Sequence, residues 1–249
     1  MRIHAVHHLQ QARLARASKP FNARGAKLKR CQYCQVSLEF CFCAHQPSTE
    51  SSAAFLLMMF DTEVLKPSNT GRLIADVIPE TYAYLWSRTE PHPEMLALLE
   101  DEQFQPFIVF PEHNVEEKER VVHKVEMVEG KKPLFIMLDG SWREACKMFR
   151  KSPYLSSFPV LSINAEQVSS YIVRKASKDY QLATAEVAAM VLDLYGEEHT
   201  SKQLELWFDV FKEHYLCSKQ PLKMSERNAA IKKMQAYQAQ FESNIPTST

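Results

Sequence analysis

Four cysteines within thirteen residues, Cys31, Cys34, Cys41 and Cys43 in "RCQYCQVSLEFCFC", have the types and spacing to hold a metal ion. A C-x2-C pair followed by C-x-C can satisfy a tetrahedral zinc ion, and in a reducing compartment this reading precedes two disulfides. Redox chemistry and unliganded thiols are the alternatives. Four protein ligands leave no open coordination position, so such a zinc would be structural. Cys146 and Cys217 stand alone and read as small buried apolar residues.

A second constellation lies in "FIMLDGSWREACKM", residues 135 to 148. An apolar run suited to a buried strand stops at Asp139, passes Gly140 and Ser141, and restarts with helical spacing at Trp142. Asp139 offers a base or an orienting group, Ser141 a hydroxyl and Trp142 a stacking surface. Asp and Ser are also common helix caps, and Trp142 read with Ala145, Cys146 and Phe149 falls on a buried helix face. "LKPSNTGRL" supplies Ser68, Asn69, Thr70, Gly71 and Arg72 in a polar loop before a helix, which suits a carboxylate or phosphate. Phe110-Pro111 leaves another expected strand. "SSYIVRKASKDYQLATAEV" brings Tyr171, Arg174 and Lys175 ahead of Thr184 and Glu186 at a helix start. Neither a G-x-G-x-x-G nor a G-x-x-x-x-G-K-[ST] motif is present, which disfavours a Rossmann dinucleotide site and a P-loop.

These residues need elements to hold them. Strands are expected over 54–60, 82–86, 107–110, 134–138 and 160–163, and helices near 70–78, 92–102, 115–129 and 142–150. Such alternation implies an α/β domain with a largely parallel sheet covered on both faces. The last third is helical: Thr184 is expected to cap a helix through Tyr195, and Leu204, Trp207, Phe208, Phe211 and Tyr215 mark one face of the next. The polar stretch "QPSTESSA", 46–53, reads as a linker. The expected division is a basic arm and zinc-binding knuckle over 1–50 and a catalytic α/β domain with a helical extension over 51–249. In open parallel sheets ligands bind beyond the carboxyl ends of the strands, which is where the Asp139 loop falls.

With 249 residues the chain can bury a full core. No apolar run reaches the length of a membrane span, and the start lacks the apolar core of a secretory signal, so a soluble, cytoplasmic protein is expected. The formal net charge is zero, but Arg2, Arg13, Arg16, Lys19, Arg24, Lys27, Lys29 and Arg30 precede the first acidic residue. Such an arm tracks a phosphate backbone or merely solvates a tail. The same alternatives hold for the C-terminal segment with Lys223, Arg227, Lys232 and Lys233.

Taken in order, the C-x2-C and C-x-C pairs, "SNTGRL", "FP", "LDGSWREACKM", "SYIVRK" and "TAEV" resemble the DTW-domain family over about residues 30 to 195. Ser141 stands where the family's name motif has threonine, keeping the hydroxyl, and Phe60-Asp61 stands where relatives often carry His-Pro. The resemblance implies a SPOUT-related α/β fold with a C-terminal trefoil knot. It also implies transfer of the 3-amino-3-carboxypropyl group from S-adenosylmethionine to N3 of a tRNA uridine, releasing methylthioadenosine. On that reading Asp139, Ser141 and Trp142 are the catalytic set. The donor is held by Ser68, Asn69, Thr70, Gly71, Arg72, Phe110, Pro111, Leu138, Gly140, Thr184 and Glu186. Arg24, Lys27, Arg30, Arg174 and Lys175 contact tRNA. A SPOUT-type RNA methyltransferase and a non-enzymatic zinc-knuckle RNA-binding module are the rival readings.

Overall fold

A computed structural model describes residues 1–18, 28–163, 182–219 and 228–243. Six strands form one sheet: β1 (Ala54–Met59), β2 (Thr81–Leu85), β3 (Phe104–Val109), β4 (Val121–Val122), β5 (Lys132–Asp139) and β6 (Val160–Leu161). All pair in parallel, in the order β2-β1-β5-β3-β6-β4. The inner strands β1 and β5 read as unbroken apolar runs because layers cover both of their faces, and every residue of β1 is buried.

Side-chain alternation divides the core in two. Phe55, Leu57, Met59, Phe107, Phe135 and Met137 point to the layer built from α2 (Gly71–Val77), α5 (Thr184–Tyr195) and α6 (Glu198–Cys217). Ala54, Leu56, Met58, Ile108, Leu134, Ile136 and Leu138 face α3 (Pro93–Glu100) and α4 (Trp142–Arg150). The parity places Asp139, last in β5, on the same side as Phe135 and Met137, facing α2 and α5 rather than α4. The segment over 164–181, with Tyr171, Arg174 and Lys175, lies outside the described residues, as do Arg24, Lys27, Lys223 and Arg227.

Three expectations give way to different local structure. Where a helix is expected over 115–129, the chain makes a 3-10 turn at Lys118–Arg120 and then β4 beside β6. The β-branched pair Val121-Val122 suits an edge strand, and Arg120 pins the turn by donating to the carbonyls of Leu155 and Phe158. The buried face of α4 consists of Ala145 and Met148, with Cys146 and Phe149 half-buried, while Trp142 is exposed with one face of its ring stacked on Phe110. Ala183, not Thr184, occupies the cap of α5: its N–H donates to the Glu186 carboxylate at 3.0 Å, which leaves the Thr184 hydroxyl free to bond elsewhere.

The start of the chain is bound into the fold. Helix α1 (Ala5–Ala15) packs against β2, the Arg2 guanidinium donates to the carbonyls of Ala75 and Asp76, and Arg13 forms a two-pronged pair with Asp61 at 2.6 and 2.7 Å. The polar stretch 46–53, linker-like in composition, is strapped down by Thr49 to the Val77 carbonyl and by Ser51 and Ser52 to Glu197. At the other end α7 (Ala229–Ser243) lies on α6, burying Ile231 and Met234. No helix among the described residues is long and apolar enough to cross a membrane.

The start is fastened at Asp76, whose buried carboxylate accepts from His4 Nε2 at 3.0 Å, Gln46 Nε2 at 3.1 Å and Trp207 Nε1 at 3.0 Å. Asp76→Ala removes the acceptor and leaves the buried His4 and Trp207 donors unmatched, while Gln46 keeps its bond to the Asp76 carbonyl. A loss of roughly 3–5 kcal/mol in urea denaturation is expected, whereas a loss below about 1 kcal/mol contradicts this role.

Candidate functional site

Asp139 ends β5 with 2 % of its surface exposed. Its Oδ2 accepts from Asn69 Nδ2 at 2.6 Å and its Oδ1 from the Thr184 hydroxyl at 2.7 Å. Each partner is itself fixed. Asn69 Oδ1 accepts from the Arg72 backbone N–H at 3.1 Å, so its amide orientation is set, and Thr184 opens α5. Gly71 explains how the carboxylate fits: a Cβ there would lie 2.6 Å from Asp139 Oδ2 and 2.8 Å from its Cγ. Only a residue without a side chain lets α2 approach this closely.

Burial pushes the Asp139 carboxyl up to about 6; the Thr184 hydrogen bond pulls the other way, the Glu63 charge adds to the rise, and Asn69 and Lys66 oppose it. The group is therefore poised to gain or lose a proton near neutrality, the condition a general base needs. Beside it Glu63 pairs with Lys66 and lies 3.4 Å from Asn69 Nδ2.

The exit loop runs straight into α4. Ser141 caps the helix, its N–H and hydroxyl both donating to Glu144 Oε2 at 2.8 and 2.6 Å, and the Ser141 partnership helps hold Glu144 below its ordinary pKa against the opposing effect of burial. Gly140 is tight here too, since a Cβ would come within 3.1 Å of Glu144 Cβ. Trp142 turns away into solvent.

Of the sequence-predicted positions, the structure gathers Asp139, Asn69, Gly71 and Thr184 at one point. Ser68 is exposed and Thr70 half-buried in the loop before α2. Arg72 goes elsewhere: its guanidinium is buried, donates to the Pro67 carbonyl at 3.1 Å and lies over the Phe211 ring. Glu186 caps α5, Leu138 is core on the α4 side, and Phe110 is buried beside Pro111. Arg30 is half-buried and donates to the Gln35 carbonyl. Sequence reasoning missed Glu63 and Lys66, which are ordinary charged residues with no motif, and the buried group His4, His7 and Asp76, whose members lie far apart in the chain.

The four cysteines converge as their spacing implies. Cys31 and Cys43 Sγ are 3.7 Å apart, Cys34 and Cys41 Sγ 3.8 Å, and all four sulfurs lie within 4.8 Å of one another. A tetrahedron with zinc–sulfur bonds of about 2.3 Å has edges of about 3.8 Å, the spacing these two pairs already have, so the cluster could hold such an ion. A tight turn with Gln35 at φ +59° closes the first pair. The knuckle is not a separate bead. Phe42 packs edge-on to Trp207 with ring centroids 4.9 Å apart, and the Phe40 carbonyl meets His214 Nδ1 at 2.8 Å on α6.

A family model described as the DTW domain matches residues 28–216, from the knuckle through α6. The chain belongs to the DTW-domain family. No solved structure matches it. The family points to tRNA modification as the kind of work the DTW chain does. The match takes in both the Asp139 cluster and the cysteine cluster.

Because the folded-state pKa of Asp139 is raised, its ionisation opposes folding: the favourable contribution is complete below the unfolded value near 4 and is lost as pH rises through about 6. Asp139→Asn keeps an acceptor for Asn69 and a donor for Thr184. The variant is expected to equal or exceed the parent in stability above pH 6, by up to about 3 kcal/mol, and to lose the dependence between pH 4 and 6. Urea denaturation across that range checks this, and a variant less stable at pH 8 than the parent contradicts it.

Proposed function

We propose that the protein transfers the 3-amino-3-carboxypropyl group of S-adenosylmethionine to N3 of a uridine in tRNA, releasing methylthioadenosine. The observation that carries this reading is the buried Asp139 carboxylate at the carboxyl end of a central parallel strand, poised near neutrality by burial and two hydrogen bonds. The uracil imide proton is weakly acidic and needs a base, while the donor carbon is already activated by the sulfonium. Catalysis is then mostly alignment of the nitrogen behind that carbon.

As the N3–C bond forms, the C–S bond breaks and its electron pair stays on sulfur, which leaves as a neutral thioether. The N3 proton passes to Asp139 and from there to water. Asn69 and Thr184 hold the carboxylate in place and Gly71 gives it room. The loop Ser68–Thr70, Phe110, Pro111, Leu138, Gly140 and Glu186 are assigned to the donor in the same proposal, with Ser141 shaping the loop through its bond to Glu144. Arg72 braces α2 from within, since its guanidinium donates to the Pro67 carbonyl and lies over the Phe211 ring. Basic residues of the N-terminal arm, Arg24, Lys27 and Arg30, with Arg174 and Lys175, meet the tRNA backbone. A SPOUT-related knotted topology is part of the same proposal, supported by the all-parallel sheet and the helical C-terminus.

The cysteine cluster holds a structural zinc in this reading. The metal would sit among four crowded sulfurs, where the Cys43 hydrogen bond holds Cys34 down at about 5 while the same bond pushes Cys43 up. Cys34→Ser is expected to purify with well under about one zinc per chain and to unfold at lower temperature; full zinc content in that variant contradicts the assignment.

The transfer is tested by incubating unmodified tRNA with the protein and S-adenosylmethionine and weighing the nucleosides. A uridine that gains the aminocarboxypropyl mass, with methylthioadenosine released, is the expected result. A methyl gain, or no gain on any tRNA, overturns the transfer.

A further inference from the structure

Helix α4 leaves the Asp139 loop with one face in the core and the other in water. Arg143, Lys147, Arg150 and the following Lys151 are exposed and recur at i, i+4, i+7 and i+8, one side of the helix. Its single carboxylate, Glu144, is turned back onto Ser141. Among the described residues no ion pair joins these four cations to an acid. On a protein of zero formal charge this is a local concentration of positive charge, complementary to backbone phosphate.

A second observation is independent of charge. Trp142, at the head of α4, is 48 % exposed, although a buried aromatic ring lies directly beneath it. Phe110 stacks under the indole at 5.6 Å and 11°, and Phe149 stacks on Phe110 at 4.5 Å and 12°. The ladder fixes the indole before anything binds, so a planar ligand arriving on it orders no flexible side chain. Beside the ladder opens a cleft of about 290 Å³ that includes His113, Phe149, Arg150 and Glu116. Glu116 on the cleft wall repels phosphate there, so Arg150, which also lines the cleft, offers its charge with Arg143 and Lys151 along the outer face of α4.

We propose that the outward face of α4, headed by Trp142, docks RNA with unpaired bases, one base stacking on the indole and its flanking phosphates lying along Arg143, Arg150 and Lys151. The surface rests on the tRNA substrate proposed above and names where that RNA sits. An unpaired stretch is required because a base inside a duplex presents no free face to the indole. Lys147 contributes less, since its ammonium lies over the Phe60 and Trp86 rings.

The test titrates unmodified tRNA transcripts, by fluorescence anisotropy at several salt concentrations, into the parent, the triple variant Arg143→Gln, Arg150→Gln, Lys151→Gln, and Trp142→Ala. Calorimetric binding of S-adenosylmethionine is measured alongside and reports the fold of the triple variant. The triple variant is expected to keep donor binding, weaken tRNA and flatten the plot of log affinity against log salt by about 2, near 0.7 for each lost contact. Trp142→Ala is expected to weaken tRNA by about 5- to 150-fold with the salt slope unchanged. Full tRNA affinity in either variant overturns the docking surface and leaves the transfer reading standing. A parent protein that binds neither tRNA nor S-adenosylmethionine overturns the transfer reading, and the surface with it.

Discussion

A buried carboxylate with two hydrogen-bond donors is the constraint around which this structure is arranged. Asp139 stands at the end of an inner strand with 2 % of its surface exposed, so its charge is affordable only while Asn69 and Thr184 stay in reach. Those donors come from 70 residues before it and 45 after. The loop before α2 and the start of α5 must therefore converge on the end of β5, and the sheet order that sets β5 between β1 and β3 makes this possible. Gly71 is the steric counterpart of the same requirement.

The cysteine cluster bears on that constraint through α2 and α6. Helix α2 carries Gly71 at one end and Asp76 five residues on, and Asp76 ties the N-terminus and Trp207 to the same helix. Phe42 of the knuckle packs on Trp207. A metal that closes the knuckle therefore braces the layer that positions Asn69, without coming near the carboxylate as a Lewis acid. Arg72 fits this picture better than it fits a surface anion site, since its guanidinium is committed to Pro67 and Phe211 inside that layer.

Much of this was legible in the chain itself, and the failures have physical causes. Apolar runs such as Phe135 to Leu138 gave strands, and the 3.6-residue pattern gave α2, α3, α4 and α5, because burial on one or two faces writes a period into the sequence. The cysteine spacing gave the cluster. The 115–129 segment misled because valines among charged residues satisfy either a helix face or an edge strand, and only the exposed edge of β6 decides between them. Trp142 misled because periodicity marks apolar residues without saying whether a neighbouring ring, here Phe110, will hold one in water. The pairing of Thr184 with Asp139 carries no local signal at all; it is a tertiary contact, and a helix-start threonine looks like a cap from sequence alone. The capping role went to Glu186 instead, and the threonine hydroxyl became part of the site.

The central claim is that Asp139 accepts the proton that transfer releases. The direct test is the pH dependence of single-turnover transfer to tRNA, in the parent and in Thr184→Val. The rate is expected to rise through an apparent pKa near 6, as the carboxyl loses its proton. In Thr184→Val that rise moves to higher pH, because the lost hydrogen bond favoured the charged form. A rate flat from pH 5 to about 7.5, or a profile unmoved by the threonine change, would contradict it.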